Sequence, residues 1–164
     1  CISICVITGC EKKEEKQKET EKTNKVKTTT DITKKNGTLE CTRSGEIDGG
    51  EGEFNYVINY KGEDVSSIHS EESVKSDSSD VLDTYEKSYR TIDGYYTGID
   101  HYIAKVNRTS NKVTHTIDID YEKINIQKLI ELEGEEDNIF ENNKAKLDKY
   151  LDLAKKMGVT CVEK

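Results

Sequence analysis

Tyr102-Ile103-Ala104-Lys105-Val106-Asn107-Arg108-Thr109-Ser110-Asn111-Lys112-Val113-Thr114-His115-Thr116-Ile117-Asp118-Ile119-Asp120-Tyr121 is the stretch that decides the fold. Both halves alternate apolar and polar residues with a period of two, as half-buried strands do, and Ser110-Asn111 between them suits a turn. Folding about that turn sets Tyr102 opposite Ile119, Ala104 opposite Ile117 and Val106 opposite His115. Apolar side chains then share one face, and Asp118 and Asp120 point to the other. Strands joined this tightly are antiparallel.

Upstream, Phe54, Tyr56, Ile58 and Tyr60 alternate with Asn55, Val57, Asn59 and Lys61, which predicts a second half-buried strand. A shorter strand over Gly37 to Arg43 precedes it, with Leu39 and Cys41 on one side, and the loop Ile47 to Gly52 separates the two. The turn Lys61-Gly62-Glu63-Asp64 starts a third strand reaching about Lys75. Val65 and Ile68 fall on opposite parities there, so the register of residues 64–75 is ambiguous, and a bulge between the two is one way to reconcile them. Asp77-Ser78-Ser79-Asp80 supplies N-caps and early acids for a helix whose stripe is Leu82, Tyr85, Tyr89, Ile92 and Tyr96, with Gly94 and Gly98 marking its end.

Downstream of the hairpin, Asn125 caps a short helix ending near Gly134, with Ile124 and Leu129 at staple positions. Asn138-Ile139-Phe140-Glu141 has capping-box spacing for a longer helix with the stripe Leu147, Tyr150, Leu151, Ala154 and Met157 and the cap Gly158. Val159 to Val162 reads as a last short strand. The order implies α+β: an antiparallel sheet of five to six strands with two to three helices packed on one face.

Charge is unevenly distributed. Residues 11 to 36 hold nine Lys and six acids, net +3, so a chain of net −8 leaves −11 on the remainder. An acidic body argues against nucleic acid as a partner. The segment from Glu11 to Asn36 has only Val26 and Ile32 as appreciable apolar residues and reads as a tether about 30 Å in reach. Before it, Val6-Ile7-Thr8-Gly9-Cys10 changes from apolar to charged in one step at Glu11, the shape of a secretory signal ending at a small-residue site.

Ile7, Thr8, Gly9 and Cys10 resemble the bacterial lipoprotein processing box, which implies a lipid on Cys10. Residues 1–9 then read as the remnant of a signal peptide whose start is missing, residues 10–36 as lipidated Cys and tether, and residues 37–164 as a single domain. The competing reading makes residues 2 to 7 a first buried strand. Removing Cys1 and Cys5 and acylating Cys10 leaves Cys41 and Cys161, an even pair that reads as a disulfide in an exported protein. That bond requires the last strand beside or across from the first, with Cα atoms roughly 4.4 to 6.8 Å apart.

The processing box, the Tyr-rich first helix, Thr116-Ile117-Asp118-Ile119-Asp120-Tyr121 running into Ile126-Gln127-Lys128-Leu129, and the terminal Gly158-Val159-Thr160-Cys161 together resemble the YehR-type small bacterial lipoproteins. The resemblance implies an envelope lipoprotein on the extracytoplasmic face of the membrane, and it supplies no catalytic residues.

Candidate sites are few. Asp118-Ile119-Asp120 has the DxD form that chelates divalent cations, although a strand with a wet side already accounts for it. Asp48 to Glu53 offers carboxylates without EF-hand spacing, and His69, His101 and His115 do not converge. Of nine tyrosines most sit at core-facing spacing, and Tyr60 and Tyr95 are the two expected to be exposed for ligand stacking. No GxSxG, HExxH or P-loop pattern occurs. The favoured expectation is a non-enzymatic lipoprotein, without a cofactor, that binds an envelope protein or small ligand; the alternative is a divalent-cation-dependent hydrolase or transferase using Asp118 and Asp120.

Overall fold

The computed structural model describes Ile32, residues 35–134 and residues 139–164. The processing box at Cys10, the remnant before it and nearly all of the tether lie outside the described residues.

Three long strands come first: β1 (Asn36–Ile47), β2 (Gly50–Lys61) and β3 (Asp64–Lys75). They are followed by α1 (Ser79–Tyr95), the hairpin β4 (Tyr102–Arg108) and β5 (Lys112–Asp120), and α2 (Ile126–Glu133). The chain ends with β6 (Phe140–Glu141), β7 (Lys144–Ala145), α3 (Leu147–Lys156) and β8 (Thr160–Glu163). Six strands make one antiparallel sheet in the order β4-β5-β3-β2-β1-β8, and β6 and β7 make a separate two-stranded sheet. The fold is α+β.

The β4–β5 register is the one that alternation dictates: Tyr102 faces Ile119, Ala104 faces Ile117 and Val106 faces His115. In β2, Phe54, Tyr56, Ile58 and Tyr60 are all buried and Asn55 is exposed. The parity conflict in β3 is resolved by a bulge, since Asn59 pairs with Ser67 and Tyr60 with Val65, leaving Ser66 unpaired in the ladder. Beyond it Ile68, Ser70, Glu72 and Val74 share the buried face.

Three local expectations are corrected. β1 continues to Ile47 and β2 begins at Gly50, so the anticipated loop shrinks to the turn Asp48-Gly49, with Gly49 at φ 82°. At Gly50 the strands come so close that a Cβ would lie 2.2 Å from the Lys75 carbonyl oxygen. The helix foreseen from Asn138 starts only at Leu147, because Asn142 and Asn143 at φ 52° and 55° turn Phe140–Glu141 back on Lys144–Ala145. Tyr60 is buried at 1% exposure, its ring over Gly37 and its hydroxyl donating to Glu163.

All three helices pack on one face of the sheet. The main core joins Leu39, Ile58, Ile68 and Ile119 to Ile92 of α1, Leu129 of α2 and Tyr150 of α3. A second, smaller cluster of Val74, Val113, Leu82 and Tyr89 lies under the first half of α1. Cys41 and Cys161 are Cα partners across β1 and β8 and their sulfurs are bonded. Their Cα atoms are 3.9 Å apart, below the expected range and closer than the roughly 4.5 Å of directly opposed antiparallel partners.

Candidate functional site

With the helices gathered on one side, the opposite face of the sheet is open. The same alternation that buries Leu39, Tyr56 and Ile117 sends Thr38, Thr42, Asn55, Asn59, Ser67, Thr114 and Thr116 outward. Register lines them up in rows across the strands: Thr160, Thr42, Asn55, Glu71, Thr116 and Lys105 form one. Hydroxyls and amides are interleaved there with charged side chains, Glu53, Lys75 and Asp118 among them. Asn59 links two neighbours, accepting from Thr38 Oγ1 at 2.8 Å and donating to Ser67 Oγ at 3.0 Å.

Toward the β8 edge this face forms a groove of about 560 Å³ lined by Thr42, Ser44, Glu53, Asn55, Glu71, Ser73 and Thr160. Glu53 is held by Lys75 at 3.3 Å, which keeps its carboxyl below the usual carboxylate range. A second cleft of about 510 Å³ sits at the other end of the body, between Gly62-Glu63, Asn142 and the first turn of α3. Ile32 lines it beside Leu147 and Leu151, and the Gly62 N–H donates to the Lys35 carbonyl at 2.7 Å, so the chain entering β1 is fastened there.

Asp118 and Asp120 are both on the open face, as the strand reading requires. Their carboxylates are engaged separately. Asp118 Oδ1 lies 2.7 Å from His69 Nδ1, its cross-strand neighbour, while Asp120 Oδ2 accepts from Lys123 Nζ at 2.7 Å, which holds the Asp120 carboxyl below its usual range. Among the described residues no group of three or more His, Cys, Asp or Glu side chains is placed to hold a metal ion. The histidines are dispersed: His69 on the open face, His101 at φ 67° before β4, and His115 buried under α1. Asp48, at the β1–β2 turn, is exposed, and Tyr95 is 68% exposed on α1. No described helix is long and apolar enough to cross a membrane.

The fold is similar to that of the Escherichia coli YehR protein, solved by NMR, with a TM-score of 0.52 and 19% identity over 76% of this chain and 90% of that one. A protein from Streptococcus pneumoniae TIGR4, also solved by NMR, superposes with a TM-score of 0.45 and 16% identity over 95% of this chain and 100% of its own. No family model and no curated protein matches the chain. At 19% identity the likeness to YehR is one of fold.

The buried face carries polar chemistry that periodicity alone does not reveal. Glu72 is 7% exposed and accepts from Tyr56 Oη at 2.9 Å; burial pushes its carboxyl up to about 7. Next to it His115, 3% exposed, stacks on Tyr89 and has Nε2 2.7 Å from Asp93 Oδ1. Tyr121 and Tyr150 share a hydroxyl hydrogen bond at 2.9 Å, and Tyr96 Oη donates to Glu133 at 3.1 Å. Glu71 and Glu72 are adjacent acids, so their types do not say which one turns inward. The Ser66 bulge decides it.

Proposed function

We propose that this chain is a bacterial lipoprotein of the extracytoplasmic membrane face, anchored through lipid on Cys10, whose folded body binds an envelope protein or small ligand without catalysis. The anchor rests on Ile7-Thr8-Gly9-Cys10 and the charged segment after it. One observation carries the binding part: the sheet leaves an entire face uncovered, and toward the β8 edge that face forms a groove of about 560 Å³ where the hydroxyls and amide of Thr42, Ser44, Asn55, Ser73 and Thr160 lie among Arg43, Glu53 and Glu71.

Position supports the same reading. The tether joins the sheet at Asn36, which pairs with Lys61 at the β2–β3 turn end. The groove runs along β1 from Thr42 to Ser44, and Thr42 lies roughly 20 Å further along the strand than Asn36 at about 3.3 Å per residue. A body held by its N-terminal tether thus carries the groove away from the anchored end. Thr42→Arg and Asn55→Arg, at exposed positions, fill it without touching the core. In a pull-down from detergent-solubilised envelopes, both variants are expected to fold normally and lose partners that the wild type retains. Identical capture by wild type and variants overturns the groove as the binding surface.

A further inference from the structure

The cleft of about 510 Å³ at the β2–β3 turn has walls that hold each other in place. One wall is that turn and the other is the start of α3. The Leu147 N–H donates to the Glu63 carbonyl at 2.9 Å, Asp64 pairs with Lys146 across an isolated bridge, and the Asp64 carboxylate accepts from Lys144 at 2.5 Å and Lys146 at 2.7 Å. Leu147 is buried and Leu151 half-buried, so the cleft has an apolar side, and Glu63, Glu141 and Asp148 supply carboxylates. Ile32 lines the same cleft and packs, half-buried, against the main core. Three residues on, the Lys35 carbonyl accepts from the Gly62 N–H at 2.7 Å, with Gly62 at φ 61°, a conformation glycine adopts freely.

We propose that this cleft is a docking site for the end of the chain's own tether, with Ile32 as the anchoring side chain and the Lys35 carbonyl as the second point of attachment. The chain is then fixed to the body from Ile32 onward and not merely from the first strand pair, Asn36 with Lys61. Composition names the occupant. Between Glu11 and Asn36 only Val26 and Ile32 are appreciably apolar, and one of the two is the residue set beside Leu147 and Leu151. Burying that side chain offsets the entropy of ordering the chain ahead of β1. Charge favours the same segment, because Lys25, Lys27, Lys34 and Lys35 flank Ile32 in the sequence and three carboxylates line the cleft. The consequence for function rests on reading residues 10–36 as the link to the membrane. A body clamped at Ile32 cannot turn about the bonds just ahead of β1, so the groove at Thr42 and Ser44 keeps one direction relative to the point where the tether meets the body.

Backbone ¹⁵N relaxation of the full chain tests the docking without reference to lipid or groove, so its failure would leave the lipoprotein reading standing. The Ile32 and Lys35 amides are expected to be as ordered as those of β1, with order parameters of about 0.85. In Ile32→Ser, which removes the apolar side chain, the amides at positions 32 and 35 should fall below about 0.6 while β1 and β2 stay unchanged. Leu151→Ser alters the α3 wall, leaves the tether intact and should give the same fall at Ile32. Ile32→Leu keeps the order. A roughly tenfold dilution separates the occupants, since order that persists belongs to the chain's own segment and order that disappears belongs to a second copy's. A mobile Ile32 amide in the wild type, order untouched by both serine variants, or order lost on dilution overturns the docking.

Discussion

Cys41 and Cys161 stand directly opposite one another across β1 and β8, so the disulfide that joins the first and last strands of the folded body is also a rung of the sheet ladder. β8 is a four-residue edge strand, held also by the Lys164 N–H to the Thr38 carbonyl at 3.0 Å, by Lys164 with Glu40 and by Tyr60 with Glu163. With 120 residues between the two cysteines, reduction is expected to lower stability by about 2 to 4 kcal/mol. Urea unfolding with and without a thiol reductant measures the loss, and the Cys41→Ser, Cys161→Ser double variant should match the reduced protein. An unchanged midpoint would argue against the bond.

Glu72 makes stability depend on pH in a definite direction. Its carboxyl is raised from 4.5 to about 7 in the folded protein, so the folded state binds the proton more tightly. The favourable contribution is complete below about pH 4.5, diminishes as pH rises through 7 and is gone above it. Glu72→Gln should therefore raise stability at pH 8 by about 2 to 3 kcal/mol and leave it nearly unchanged at pH 4.5. Chemical denaturation at the two pH values checks this, and a variant less stable at pH 8 contradicts it.

Asp118 is exposed and Asp120 half-buried, and they are separately engaged with His69 and Lys123. Replacing both with Asn is expected to leave the melting temperature essentially unchanged, because exposed ion pairs contribute little. Titrating the wild type with Mg²⁺, Mn²⁺ or Ca²⁺ should not move it either. A saturable upward shift that the double variant lacks would favour the cation-dependent enzyme.

Gly50 has no room for a side chain: a Cβ would meet the Lys75 carbonyl oxygen at 2.2 Å and Ser76 Cβ at 3.2 Å. Gly50→Ala should cost about 1 to 3 kcal/mol, since backbone must move to admit the methyl group. The same substitution at Gly45, where a Cβ meets nothing within 4 Å, serves as the control and should be mild. Equal thermal shifts for the two variants would be the contrary result.

Cys10→Ala is expected to abolish fatty-acid labelling and shift the protein out of the membrane fraction or leave it as unprocessed precursor, because several acyl chains hold a protein far better than one. Labelling with a radioactive or clickable fatty acid followed by fractionation decides it. A variant still labelled and still membrane-bound places the anchor elsewhere.

Local alternation determined a good part of this protein. Val106 to Asn107 and Thr114 to Ile117 reveal the β4–β5 register because neighbours two residues apart share a face whatever the rest of the chain does. For the same reason the α1 stripe and the outward turn of Asp118 are readable, while the conflict between Val65 and Ile68 leaves the β3 register open until pairing with β2 places the bulge at Ser66. Periodicity ends where a residue's surroundings come from distant segments. Nothing near Glu72 distinguishes it from Glu71; the phase set by Ser66, and the placement of β3 between β2 and β5, bury one and expose the other. His115 meets Asp93 only because α1 crosses β5, and Tyr60 is buried because β1 and β8 bring Gly37 and Glu163 to it. The open groove is likewise tertiary, since polar side chains from four strands and the entry to β8 become one surface only when the sheet order is set.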